Sequence, residues 1–459
     1  MRSDLEELEF LDKRHLWHPF TPMQEWIAED HRPLMLVAGD GVWLKDAEGN
    51  NYLDGNSSIW TNIHGHNHPA INRAIAEQLR LVAHTSFLGF SNPPAVRLAE
   101  KLVRLIGDPG LTRVFYSDDG STGVEVAIKM TGQYFNQNGK PQKTNFAAFD
   151  NAYHGDTLGA SSLGGITQFH DRFARYQFPV KRLTTAEDLG RLEEEKIAAI
   201  IIEPLVQGAA GMRVWPSGML SVLRDWCSRH DVLLIFDEVM TGFGRTGKMF
   251  AFQHEDVVPD FLVLAKGLTG GYLPLAATIT SDRIFHGFLG AAEQMRTFFY
   301  GHSYAGNALG CAAALASLEV FESEDTLAGL SPKIEHLSHG LSRLSHNRWI
   351  RDVRQCGMIA GIEVGRPDGT SFDPKDRIGT RICVAARKYR LLTRPILDTI
   401  VFMPPLCVTK AEIDLAFEAI ERATEEVCGS GRSQECWSAG HGSAIPQVDV
   451  AATKDVAAS

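Results

Sequence analysis

A chain of 459 residues, 44% of them apolar, is long enough for two or three domains around a large core. Its net charge of −11 argues against a nucleic-acid binder, which presents a basic face, and no apolar run is long enough to cross a bilayer. Cys227, Cys311, Cys356, Cys383, Cys407, Cys428 and Cys436 are scattered without a C-x-x-C pair, so neither a zinc site nor a disulfide framework is indicated.

The N-terminus, "MRSDLEELEF", is acidic and lacks the basic and apolar regions of a signal peptide. With the scattered cysteines it points to a cytoplasmic protein whose thiols stay reduced. Residues 1–70 are rich in aromatics and turns and are expected to pack onto another part of the chain. Within them "IHGHNHP" sets His64, His66 and His68 at alternate positions. An extended strand would offer all three to a metal, but Gly65, Asn67 and Pro69 favour a turn.

From about residue 98 to 280, short apolar runs alternate with longer amphipathic ones. "TRVFYSDDG" (112–120) reads as strand and turn, and "STGVEVAIKMTGQYF" (121–135) as a helix. "NFAAFD" (145–150), "IAAIIIEP" (197–204), "VLLIFDEV" (232–239) and "DFLVLAKG" (260–267) read as strands, with "GMLSVLRDWCSRH" (218–230) a helix among them. Glu193, Glu194 and Glu195 are most simply a solvated helix face. Such alternation predicts a mostly parallel sheet covered on both faces, and the lack of period-two patterning in the strands agrees. Residues 305–347 read as two helices separated by Pro332, and 351 to about 430 as an α+β pattern. The expected organisation is an N-terminal segment of the small domain (1–70), a large domain (71–330), the rest of the small domain (331–428), and a Gly/Ser/Ala-rich disordered tail (429–459).

In open parallel sheets, ligands bind beyond the carboxyl ends of the strands. Polar residues occupy several of those ends: Asp118 and Asp119, Glu203, Asp237 and Glu238, and Lys266. Lysine is rarely buried, because desolvating its charge costs several kcal/mol. Lys266 therefore either reaches solvent or is kept for its amine. Asp237 follows four apolar residues and needs a partner, which a salt bridge, a helix N-terminus or a pyridinium nitrogen would each supply. Gly120, Ser121 and Thr122 open a helix, where amides, hydroxyls and the helix dipole suit a phosphate and equally suit ordinary capping. In "NAYHGDT", Tyr153 and His154 follow a strand, and an aromatic there can stack on a flat ring or pack as a loop residue. Pyridoxal phosphate needs all four parts together: an imine-forming lysine, an acid beside its ring nitrogen, a phosphate cup and a stacking aromatic. Lys266, Asp237, Gly120 with Ser121, and Tyr153 are the candidates.

Longer motifs carry a resemblance. "IIEPLVQGAAGM", "LLIFDEVMTGFGRTGKMFA", "LAKGLTGGYLPLA" and "GHSYAGNALGCAAA" resemble the class III aminotransferases of the fold-type I pyridoxal-phosphate superfamily, from about residue 10 to 425. The resemblance implies a large domain with a mostly parallel seven-stranded sheet, a smaller α+β domain, and a homodimer with its active site at the interface. "RHLWHPFTPM", "GNSSIWTNIHGHNHP", "NAYHGDTLGA" and "LLTRPILDTIVFMPP" resemble the biotin-pathway branch, which aminates 8-amino-7-oxononanoate, usually with S-adenosylmethionine as donor. By position, the resemblance makes Lys266 the imine-forming lysine and Asp237 the partner of the ring nitrogen. Gly120 and Ser121 would hold the phosphate, and Tyr153 would cover the ring. His302 and Ser303 match the segment by which a neighbouring subunit completes the phosphate site, with Gly301 beside the substrate. Arg394 matches the arginine that receives the substrate carboxylate, while Phe20, Ile59 and Trp60 line the pocket. Ile59, Phe20 and Val401 depart from the usual adenosylmethionine users and resemble a branch that takes its amino group from lysine.

Overall fold

The computed structural model describes residues 2–429; residues 430–459, within the segment whose composition reads as disordered, lie outside the described residues. Seven strands build the central sheet: β1 (Arg113–Ser117), β2 (Asn145–Phe149), β3 (Val180–Leu183), β4 (Ile197–Ile202), β5 (Leu233–Asp237), β6 (Phe261–Leu264) and β7 (Ala276–Thr280). Their spatial order is β1-β7-β6-β5-β4-β2-β3. Only β7 runs antiparallel to its neighbours. Every residue of β4, β5, β6 and β7 is buried, which is why their sequences show no alternation. Helix α1 (Gly120–Gln137) packs across β6 and β7.

The sequence reading misses β3 and β7. In β3 only Leu183 is buried, so this edge strand carries no apolar run. In β7, "AATIT" is a string of small residues, and it returns antiparallel without a crossover helix to announce it. Pro332 also plays a different part from the one expected. Helix α2 (Ala308–Ser323) ends before a turn, and Pro332 stands in the first turn of α3 (Ser331–Leu344). There its missing N–H is one the helix would leave unpaired anyway.

A second sheet joins Ile350–Cys356, Ile359–Val364, Thr399–Phe402 and Pro395–Ile396, all antiparallel. Near the N-terminus, Leu36–Asp40, Trp43–Asp46 and Asn51–Asp54 form an antiparallel meander. Leu391–Leu392 adds to its edge in parallel, so strands some 340 residues apart in the chain share one sheet. The Trp43 indole also donates to Glu412 at 2.9 Å. This closure fixes the chain after Asp54, and from there the segment Asn56–Asn62 reaches the ends of the central strands.

Candidate functional site

β6 ends at Leu264, and two residues later Lys266 adopts φ +41°. That left-handed backbone is costly for a side chain bearing a Cβ and marks a site where surrounding structure imposes the geometry. Lys266 is half-buried, and its Nζ lies 4.7 Å from the ring centroid of Trp60. Among the described residues its amine has no hydrogen-bond or ion-pair partner. Burial lowers its pKa from the usual lysine value; Asp237 and Glu203 oppose this, and Arg245 adds to it. The result is an amine biased toward its neutral, nucleophilic form.

Asp237 is the last residue of β5 and is 5% exposed. His154 Nδ1 donates to its Oδ2 at 2.7 Å, and the Val239 amide donates to Oδ1 at 3.1 Å. The His154 ring is itself buried, and its Nε2 is unpartnered. Glu203, just past β4, accepts from the Tyr153 amide at 3.1 Å and the Gly208 amide at 2.8 Å. Burial pushes its carboxyl up to about 7, with Asp237 also raising it and His154 opposing. Glu238, although next to Asp237, turns away to accept from the amides of Ala251 and Phe252 at 2.6 and 2.7 Å. Its role is to pin that loop.

Gly120 and Ser121 open α1, which Asp119 caps by accepting from Thr122 N at 2.9 Å. The amides of Gly120 and Ser121 precede the first hydrogen bond of the helix and remain available to an anion. Close approach makes glycine necessary at two positions. A Cβ on Gly120 would stand 2.7 Å from Val239 Cγ1, and one on Gly155 would stand 2.1 Å from Ser121 Oγ. Gly155 also holds φ +118°. Ser121 Oγ accepts from the Asp156 amide at 3.2 Å, which ties the cup to the Tyr153 turn. The Tyr153 hydroxyl donates to Asp156 Oδ2 at 2.6 Å, and burial raises its pKa.

Trp60 walls the site, donating from its indole to Asn56 Oδ1 at 2.9 Å. Ser57, Ser58 and Trp60 all have positive φ, so this short segment concentrates strain. Ile59 is exposed, as is Phe20, whose ring meets Phe169 edge-on at 5.4 Å; Phe169 in turn meets Tyr153 at 6.2 Å. Val401 is only 1% exposed and packs in a cluster with Trp60, Met240 and Met403. Arg394 is exposed and forms no ion pair among the described residues. Gly301 and Ser303 are exposed, while His302 Nδ1 donates to Asp118 Oδ2 of the same chain at 2.7 Å. That bond seats the 301–303 segment beside the strand end that leads into the cup. The three early histidines take different hydrogen-bond partners, His64 meeting Ser317, His66 meeting Asp54 and His68 meeting Glu324, although the rings of His64 and His68 lie 6.1 Å apart.

One residue of this constellation and one pairing escape the sequence reading. His154 adjoins Tyr153, so a polar ring in that turn was visible, but its pairing with Asp237 spans 83 residues. Arg245, in "GFGRTG", looks like an ordinary loop cation, yet it is fully buried.

A neutral-leaning amine, a buried carboxylate backed by imidazole and a helix N-terminus shaped by glycines thus meet at the strand ends. The chain matches the aminotransferase class-III family over residues 26–424 and belongs to that family. Among its relatives is the adenosylmethionine-8-amino-7-oxononanoate aminotransferase of Geobacter sulfurreducens, 45% identical over 93% of this chain and 99% of that one. The protein of the same name from Aquifex aeolicus is 43% identical over 92% and 98%. The crystal structure of the Methanocaldococcus jannaschii protein of that name matches with a TM-score of 0.90 at 38% identity, covering 92% of this chain and 99% of that one. An amine transaminase from an uncultivated Pseudomonas species, in its PLP-bound form, matches at 0.84 with 32% identity, covering 90% and 99%.

Proposed function

We propose that this chain is a pyridoxal-phosphate-dependent aminotransferase that converts 8-amino-7-oxononanoate to 7,8-diaminononanoate in biotin biosynthesis, with S-adenosylmethionine as amino donor. It would work in the cytoplasm as a homodimer. The observation that carries the reading is Lys266, an amine without a polar partner among the described residues, held in a strained backbone at a strand end within the field of the buried Asp237 carboxylate. The relatives' names support the choice of substrates.

The residues fit the cofactor. Lys266 would hold its carbonyl carbon, Asp237 its ring nitrogen, Gly120 and Ser121 its phosphate, and Tyr153 the face of its ring. His302 and Ser303 of a second copy would complete the phosphate site. Gly120 packed against Val239 and Gly155 packed against Ser121 fix the start of the helix, where the free amides suit an anion. When bound, pyridoxal phosphate supplies an electrophilic carbon and a pyridinium ring that accepts electron density.

The chain supplies the rest. Lys266, biased toward the neutral amine by burial, takes a proton from the donor's amine-bearing carbon and later returns one to the acceptor's carbonyl carbon. Asp237, itself buried and oriented by the His154 N–H, would place a negative charge opposite the ring nitrogen, where burial makes it worth more than in solution. Arg394, without an ion-pair partner among the described residues, would receive the acceptor's carboxylate through its two-pronged guanidinium. Trp60, Ile59 and Phe20, with Gly301, would enclose the apolar chain and the donor.

Lysine remains the second candidate donor, because Ile59 and Phe20 offer less aromatic and hydroxyl contact to a bulky nucleoside. Val401, the third departure, is buried in the cluster that holds Trp60. The test is single-turnover conversion of the cofactor to its amine form with each donor at equal concentration. Addition of 8-amino-7-oxononanoate follows, with mass-spectrometric detection of the diamine. Lysine acting about tenfold faster, roughly 1.4 kcal/mol in the barrier, would overturn the donor. Amino transfer from either donor to other ketones but never to this one would overturn the acceptor.

A further inference from the structure

Residues 287–303 contain no strand and one short turn of helix, Ala292–Gln294, yet they follow a defined course along α1, from its C-terminal end to its start. Gln137 Nε2 donates to Gly287 O at 2.8 Å, and Gln133 Nε2 donates to Arg296 O at 3.2 Å and Thr297 O at 3.0 Å. One turn earlier on the helix, Lys129 Nζ lies 4.7 Å from the centroid of the Tyr300 ring. At the helix start His302 Nδ1 donates to Asp118 Oδ2 at 2.7 Å, and its Nε2 lies 2.9 Å from the Tyr300 hydroxyl. An ionised carboxylate only accepts, so Nδ1 carries the proton; in the neutral imidazole Nε2 then accepts and the phenol donates. Burial, then Glu125, Asp118 and Asp119, push the Tyr300 pKa up to about 12, which keeps that donor protonated. The other Asp118 oxygen is buried without a partner among the described residues, so the imidazole is what this carboxylate serves.

Gly301 and Ser303, on either side of His302, are exposed. Ordering an exposed turn costs backbone entropy that burial does not return, and the Asp118–His302–Tyr300 chain is the hold at this point. We propose that Asp118 and Tyr300 are positioning residues that act through His302: together they fix the Gly301–Ser303 turn at the foot of α1, and so set the phosphate site that this turn completes in a second copy. Both ring nitrogens of His302 are used within its own chain, so its side chain serves that phosphate by holding the turn. Asp118 adjoins the cup of its own subunit, and each subunit's cup is thereby tied to the turn it lends.

The inference rests on the reading of the chain as a cofactor-binding dimer, and the experiment separates the two. Holoenzyme is prepared for the parent and for Asp118→Ala, Asp118→Asn and Tyr300→Phe, and pyridoxal phosphate dissociation is followed by dialysis, whichever substrates are turned over. Removing a carboxylate beside a phosphate cup would by itself tighten anion binding. Asp118→Asn removes that charge but keeps an oxygen for the Nδ1 proton, so it should bind as tightly as the parent or tighter. Asp118→Ala loses the acceptor and should bind about three- to tenfold more weakly, as should Tyr300→Phe, which keeps its ring over Lys129. The double variant Asp118→Ala with Tyr300→Phe should lose little more than the worse single one, because both act through one imidazole. Mixed dimers of Lys266→Ala with Asp118→Ala chains then give the direction. Their one imine-forming site lies on the Asp118→Ala chain and receives an intact turn from the other, so it should hold the cofactor at least as tightly as the parent. Equal affinities for Asp118→Ala and Asp118→Asn, fully additive losses, or a mixed dimer as weak as the Asp118→Ala homodimer would each overturn the tether. A parent chain that stays monomeric or holds no cofactor would instead overturn the reading beneath it, and the tether with it.

Discussion

Replacing His154 by alanine tests how the site holds the Asp237 carboxylate. The imidazole is 2% exposed, and its Nδ1 lies 2.7 Å from Asp237 Oδ2. The other carboxylate oxygen keeps only the Val239 amide at 3.1 Å, so His154→Ala leaves Asp237 buried with a single donor. A charge-assisted hydrogen bond of this kind contributes about 1.5–3 kcal/mol. If the whole of it is felt in the proton-transfer step, the rate falls by roughly ten- to a hundredfold. The assay is the single-turnover rate of the donor half-reaction for His154→Ala, Asp237→Asn and the double variant. A thermal melt of each verifies that it is folded. Asp237→Asn alone should cost several orders of magnitude, because a neutral amide cannot stabilise positive charge on the ring nitrogen. Since both residues act through one carboxylate, the double variant should be about as slow as Asp237→Asn alone. A His154→Ala rate within about threefold of the parent, or losses that add in full, would refute the reasoning.

Lys266→Ala should abolish turnover and leave no lysine linked to the cofactor after borohydride reduction; a reduced link at another lysine would move the assignment. Gly155→Ala should lower stability by about 1–3 kcal/mol from the left-handed backbone alone. Its Cβ would also meet Ser121 Oγ at 2.1 Å, so cofactor affinity measured by dialysis should fall as well, and an unchanged affinity would remove Ser121 from the cup. Glu203 titrates near 7 in the folded chain against an ordinary 4.5, because burial favours its neutral form. The folded cofactor-free chain therefore binds the extra proton, and this contribution is complete below about pH 4.5 and lost as pH rises through about 7, on the order of 3 kcal/mol. Melting temperatures between those limits should fall with rising pH in the parent and stay flatter in Glu203→Gln; parallel curves would contradict the shift.

Much of the site was legible because its residues sit where short apolar runs end. Glu203, Asp237 and Lys266 each follow such a run, and in a parallel sheet those ends face one crevice. The opening of α1 at Gly120 and Ser121 was equally plain, since a strand, a turn with an acid and a helix start succeed one another in the sequence. The edge strand β3 and the small-residue strand β7 were not legible. Their burial is decided by neighbours rather than by their own composition, and β7 turns back antiparallel where alternation implies another crossover. The partners of the site were out of reach for the same reason. His154 meets Asp237, His302 meets Asp118, and Arg245 meets Trp60 and Pro404, across sequence separations of 83, 184, 185 and 159 residues. The sequence by itself singled out the candidate groups for the chemistry, because a polar residue ending a buried strand violates the local pattern and stands out. Only the tertiary structure decided how those groups are held. Burial and the satisfaction of a charge depend on residues that become neighbours once distant segments such as Asn51–Asp54 and Leu391–Leu392 have paired.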